Sequence, residues 1–168
     1  MKKAISTTLT PANIASVTAL LTATPHTLSA LSAGRAPEAL RQPLGVGERS
    51  FIEVVAHLVN SDERTTETIY AALLLDEPLV LAIHPERDWG KLLRYEQCEC
   101  AELLAYYSFR RATLLRVLNG LSAAQWERSI REAGKQRAES VYWRARAMAL
   151  HEAEHVAELE SRLTQTLS

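Results

Sequence analysis

Little in this chain invites covalent cross-linking. Its 168 residues include only two cysteines, Cys98 and Cys100. They stand two apart where a helix is expected, so their side chains leave nearly opposite faces and cannot easily bridge each other. A disulfide framework is excluded, and reduced thiols fit a cytoplasmic address. An excess of either charge is missing as well: 19 Lys+Arg against 20 Asp+Glu give a net charge of −1, with the basic residues scattered among acidic ones. Nucleic acid is therefore not an expected partner. No apolar run reaches the ~20 uninterrupted residues that cross a bilayer, and Ser, Thr and Asn interrupt what would be the core of a signal peptide behind Met1-Lys2-Lys3. Neither a membrane segment nor an export signal is expected. Glycine numbers only six, with no glycine-rich phosphate loop, which argues against a bound nucleotide or flavin. Strand-type alternation does not rise above noise.

What remains is helical periodicity. Thr10-Pro11 reads as a helix start, threonine as cap and proline at the first helical position. The apolar pattern then runs to about Ala33, with Thr24-Pro25 expected to kink or divide it. Residues 34–49, containing Gly34, Pro37, Pro43, Gly45 and Gly47, read as an ordered loop. Ser50-Phe51-Ile52-Glu53 is a capping-box pattern that opens a second helix to about Leu75. Asp76 to Asp88 breaks the pattern. A third helix is expected from roughly Trp89 to Asn119, a short capped turn at Ser122–Glu127, and a fourth helix from about Ala138 to Leu163. Four amphipathic segments must bury their stripes against one another, and 168 residues suit one domain, 1–168. The expected fold is all-α, a four-helix bundle.

The most informative residues are His151-Glu152-Ala153-Glu154-His155 in the last helix. Two imidazoles four positions apart project from one helical face on consecutive turns, as a ready pair of metal ligands. His57, early in the second helix, supplies a third imidazole if the two helices pack together, although it lies to one side of that helix's apolar stripe (Phe51, Val55, Leu58, Ile69, Leu73). Three histidines as the only protein ligands leave a tetrahedral ion with an open position, the arrangement of catalytic more than structural zinc. Imidazole suits zinc, nickel, iron and copper alike. On the last helix Val141, Ala145, Met148, Glu152, His155, Leu159 and Leu163 share a stripe, so Glu152 needs a compensating cation, which a metal could provide. Glu158, one turn beyond His155, is placed to orient an imidazole. The pentapeptide also satisfies the H-E-x-x-H of zinc proteases, but only thirteen residues follow His155 and no strand is expected to hold an extended peptide.

His57-Leu58-Val59-Asn60-Ser61-Asp62-Glu63 and His151-Glu152-Ala153-Glu154-His155, in this order and interval, resemble the first histidine and the H-[D/E]-x-x-H of the DinB/YfiT-like superfamily of small bacterial four-helix metal-binding proteins. Arg111-Ala112-Thr113-Leu114-Leu115-Arg116-Val117-Leu118-Asn119-Gly120-Leu121-Ser122 resembles that family's third-helix ending. The resemblance covers nearly the whole chain. It implies that His57, His151 and His155 bind a divalent ion, commonly zinc, nickel or iron in relatives, with water completing the shell. It further implies a metal-dependent enzyme such as an S-transferase using a low-molecular-weight thiol (bacillithiol, mycothiol or glutathione) on a small-molecule substrate, assembled as a homodimer. In that scheme Glu152 serves either as base or as a carboxylate supporting a ligand from behind, and Arg64 meets an anionic group of the cosubstrate. The competing expectation is a non-catalytic, stress-response or partner-binding bundle. His26 and His84, each beside a proline, read as surface residues. Trp89, Trp126, Trp143 and the Tyr106-Tyr107 pair read as packing groups.

Overall fold

Thr10 caps the first long helix: its hydroxyl accepts from the Asn13 N–H at 3.2 Å, and Pro11 follows at the first helical position. The computed structural model describes residues 5–165; the basic start of the chain and its last three residues fall outside them. Helix α1 (Pro11–Ser32) runs without a break through Pro25, so the proline neither ends nor divides it, and the buried Thr24 hydroxyl bonds back to the Leu20 carbonyl. The expected loop after it contains a short helix, α2 (Pro37–Arg41). Helix α3 (Phe51–Leu74) opens on the expected capping box, with Ser50 and Glu53 satisfying each other's backbone N–H groups at 3.4 and 2.7 Å.

The third long helix begins later than its sequence suggests. Residues 85–97, expected to be helical from Trp89, form a π-helical turn (Pro85–Gly90), a single α turn, α4 (Lys91–Leu93), and a 3₁₀ turn (Tyr95–Gln97). Arg94, at φ 52°, breaks the helical sense between the last two, and the Arg41 guanidinium holds the exit by donating to the carbonyls of Glu96 and Cys98 at 2.8 and 2.7 Å. The close approach of this segment to α3 explains Gly90, since a Cβ there would stand 3.1 Å from the Asn60 amide nitrogen. Helix α5 (Cys100–Asn119) follows, then the short capped α6 (Ala123–Glu127) and finally α7 (Val141–Gln165).

Three strands that the sequence did not announce, β1 (Leu79–Val80), β2 (Ser129–Glu132) and β3 (Glu139–Ser140), form a small sheet in that order, β1 parallel and β3 antiparallel to β2. Elements of two to four residues are too short to display alternation, and only Ile130 among the residues of β2 is buried.

Helices α1, α7, α3 and α5 pack in a ring in that spatial order, a four-helix bundle as expected. The apolar core forms two clusters. One joins the first half of α3 to Leu103, Leu104 and Tyr107 of α5 and Leu159 and Leu163 of α7. The other joins Val17 and Leu21 to Leu114, Leu118, Val141, Ala145 and Met148. Among the described residues α1 is the one helix long and apolar enough on average to cross a membrane, although Asn, Ser, Thr and His interrupt its apolar run. In the bundle it lies against α5 and α7 with Val17, Leu21, Thr24, Pro25 and Leu28 buried.

Candidate metal centre

Because α3 and α7 are neighbours, the two histidine-bearing segments, 94 residues apart in the chain, meet. The Nε2 atoms of His57 and His151 lie 3.1 Å apart, and those of His151 and His155 lie 3.2 Å apart. The three ring centroids are separated by 4.7 to 5.0 Å, each pair edge to face. One ligand atom from each ring lies within 4.8 Å of the others. All three rings are half-buried, so the cluster sits in the flank of the bundle and not on its axis, as the off-stripe position of His57 implies.

Carboxylates stand behind two of the rings. His57 Nδ1 is 3.6 Å from a Glu86 oxygen, and His155 Nδ1 is 3.6 Å from Glu158. A carboxylate on that side favours the proton on Nδ1, which turns the Nε2 lone pairs of His57 and His155 toward the shared centre. Lone pairs facing one another at 3.1 to 3.2 Å repel unless a cation lies among them or His151, common to both contacts, carries its proton on Nε2 and donates to the other two rings. Ligand nitrogens at 2.0 to 2.1 Å around a tetrahedral ion are about 3.3 Å apart, so the observed spacing and donor set fit a divalent metal. Electrostatics agree with neutral ligands. Burial, with Arg49 and the neighbouring histidines, brings the His57 pKa down to about 4, and burial with His155 lowers that of His151.

Glu152 faces the other way, into the bundle. It is fully buried, and Arg111 of α5 donates to both of its oxygens, at 2.5 and 3.0 Å. The cation that the sequence led one to seek in a metal is this guanidinium. Arg111 also donates to Asp62 at 2.8 Å and contacts the Tyr107 hydroxyl at 3.0 Å, while Arg110 donates to the other Asp62 oxygen at 2.9 Å. Two carboxylates and two guanidiniums thus balance within the core. Burial raises the Glu152 pKa and Arg111 opposes that rise. The network ties α3, α5 and α7 together directly behind His151.

Beside His57 opens a cleft of about 630 Å³ whose lining includes Arg49, Asn60, Glu86, Arg87, Lys91 and Arg94. Arg49 is ion-paired with Glu86 and Arg87 with Asp88, whereas Lys91 has no ion pair among the described residues. Arg64, expected to meet a cosubstrate, is instead buried and donates to Glu67 and to the Leu81 carbonyl. His26 and His84 are exposed as expected, and His84 Nδ1 accepts from the Arg87 N–H. Cys98 and Cys100 are unpaired thiols, Cys100 buried. Trp126 and Tyr107 are buried packing groups.

Sequence reasoning missed Asp62, Glu86, Lys91 and Arg111. Arg111 was the legible one, since it interrupts the stripe Leu104, Tyr107, Leu114, Leu118 that α5 buries, and a buried arginine needs carboxylates nearby. Glu86 and Lys91 ride on the broken segment, where helical spacing carries no information.

A family model of the DinB superfamily matches residues 20–159. Among solved structures the fold is similar to that of YfiT from Bacillus subtilis, described as a probable metal-dependent hydrolase with an unusual four-helix bundle topology. The TM-score is 0.84 at 15% sequence identity, covering 99% of this chain and 93% of that one. At so low an identity the likeness speaks for the fold alone. Among curated proteins, none matches the sequence.

Proposed function

The chain belongs to the DinB superfamily, and on that premise we propose that it binds a divalent ion through His57, His151 and His155 and is a metal-dependent low-molecular-weight thiol S-transferase. The observation that carries this reading is the convergence of three imidazoles, with Nε2 separations of 3.1 and 3.2 Å, beside an open cleft that His57 lines. A bound zinc, nickel or iron ion would supply Lewis acidity, lowering the pKa of a thiol or water brought to its open position.

The chain's own residues do the rest. Glu86 and Glu158, each 3.6 Å from an imidazole Nδ1 and so short of a hydrogen bond, bias His57 and His155 electrostatically toward the tautomer that presents Nε2. Lys91 and its cationic neighbours on the cleft wall receive the anionic end of a thiol cosubstrate, the task that Arg64 is too occupied to perform. Glu152 would have to abandon Arg111 to act as a base. In this proposal it is a positioning residue that fixes the turn of α7 bearing His151. Homodimerisation and a cytoplasmic location belong to the same proposal.

The structural likeness to YfiT, described as a probable metal-dependent hydrolase, favours a second reading in which the nucleophile is water. Both are tested with tag-free protein loaded in turn with zinc, nickel or iron(II). Glutathione, bacillithiol or mycothiol is offered with 1-chloro-2,4-dinitrobenzene, and an activated ester is offered without thiol. Metal-dependent thioether formation that falls to background in His155→Ala supports the transferase, and metal-dependent ester cleavage alone supports the hydrolase. Activity indifferent to His155→Ala removes both. Metal-free protein whose melting temperature ignores all three ions supports the non-catalytic bundle.

A further inference from the structure

On the opposite side of the segment 85–97 from the histidine cleft lies a cavity of about 480 Å³ between α3, α5 and that segment. Its walls are aromatic, Trp89 and Tyr95 from the broken segment and Tyr70 from α3, and its lining includes Glu63, Thr66 and Arg110.

Two features of the lining are unexplained by packing. The Thr66 hydroxyl is buried (5% residue exposure) and has no hydrogen-bond partner. A buried helical threonine ordinarily returns its hydroxyl to a carbonyl of the preceding turn, as Thr68 does to Thr65 at 2.7 Å. Glu63 is the second feature. Both Tyr95 and Tyr106 donate to its Oε1, at 2.7 and 2.6 Å, while no described residue donates to its other oxygen. The cations nearby are engaged: Arg110 donates to Asp62 and reaches Glu63 only at 4.0 Å, and Arg64 is bound to Glu67 and the Leu81 carbonyl. The cavity therefore presents a carboxylate that the phenols hold in place and no guanidinium neutralises closely, an unpartnered hydroxyl, and aromatic side chains in its walls.

We propose that this cavity is a second ligand site, for a small organic cation with an apolar body, an amine or a quaternary ammonium. The charge would face Glu63 and the rings, whose negative faces attract cations. The apolar body would lie along Trp89 and Leu93, and the Thr66 hydroxyl would be satisfied by an ammonium N–H or by an ordered water at the ligand's edge. The site requires no metal, so its success or failure is separate from that of the histidine cluster.

Calorimetric titration of the full chain, metal-free and metal-loaded, tests it with benzylammonium, benzyltrimethylammonium and phenylacetate as probes. At least one of the two cations is expected to bind at one site per chain in both preparations, and phenylacetate roughly tenfold more weakly or not at all. Glu63→Gln should weaken cation binding by about tenfold. Trp89→Ala, at a partly exposed position, should weaken it as well, with the far-UV spectrum unchanged in each. Preference for phenylacetate, equal affinity for both charges, undiminished cation binding by Trp89→Ala, or no saturable binding of either cation up to roughly 10 mM overturns the proposal.

Discussion

The His57 ring shows how a single residue reports on its surroundings. Burial, then the charges of Arg49, His151 and His155, bring its pKa from the ordinary 6.5 to about 4. Folding therefore favours the neutral ring. That contribution to stability is complete above pH 6.5 and is lost as pH falls from there through about 4. The melting temperature of metal-free protein should drop across that interval, and His57→Asn should flatten the drop. A profile for the variant that parallels the wild type would contradict the perturbation. Arg111 offers the second test at this scale. Arg111→Met leaves Glu152 buried without a cation and should cost about 3–5 kcal/mol in denaturant unfolding; a loss under about 1 kcal/mol would mean that the network contributes little. That a carboxylate in the stripe of α7 needed compensation was legible in the sequence. Which group supplies it was not, because the answer depends on which helix faces Glu152 across the bundle.

Among the elements, those with chemical start signals were the ones the sequence exposed. Thr10-Pro11 and the Ser50/Glu53 box open α1 and α3 where expected. Residues 89–97 read as the start of the third helix because Trp89, Leu92 and Leu93 keep helical spacing, yet Leu92 and Leu93 are exposed and the left-handed Arg94 interrupts the chain between them and Tyr95. The sheet escaped notice because its strands are set by pairing between distant segments. The broken segment matters to the candidate metal centre through Glu86, which no helical pattern could have placed beside His57. Glu86→Gln should weaken divalent-metal affinity by roughly 10- to 100-fold in a competitive chelator titration. An affinity unchanged from wild type would detach Glu86 from the site.

For the whole molecule, the ring of α1, α7, α3 and α5 is what turns a sequence motif into a site. The His151/His155 pair was legible from spacing alone. His57 could be joined to it only by the packing of α3 on α7, and its off-stripe position correctly foretold a cluster in the bundle's flank. The same packing leaves the cleft open beside His57 and buries Glu152 against Arg111 inside the bundle. The measurement that bears most directly on the triad is elemental analysis of tag-free protein after exhaustive dialysis, alongside the His57→Ala, His151→Ala and His155→Ala variants. One divalent ion per chain in the wild type, and a marked loss in each variant, is the expected result. Metal-free wild-type protein that takes up no zinc, nickel or iron, or an ion retained equally when all three histidines are replaced, would contradict it.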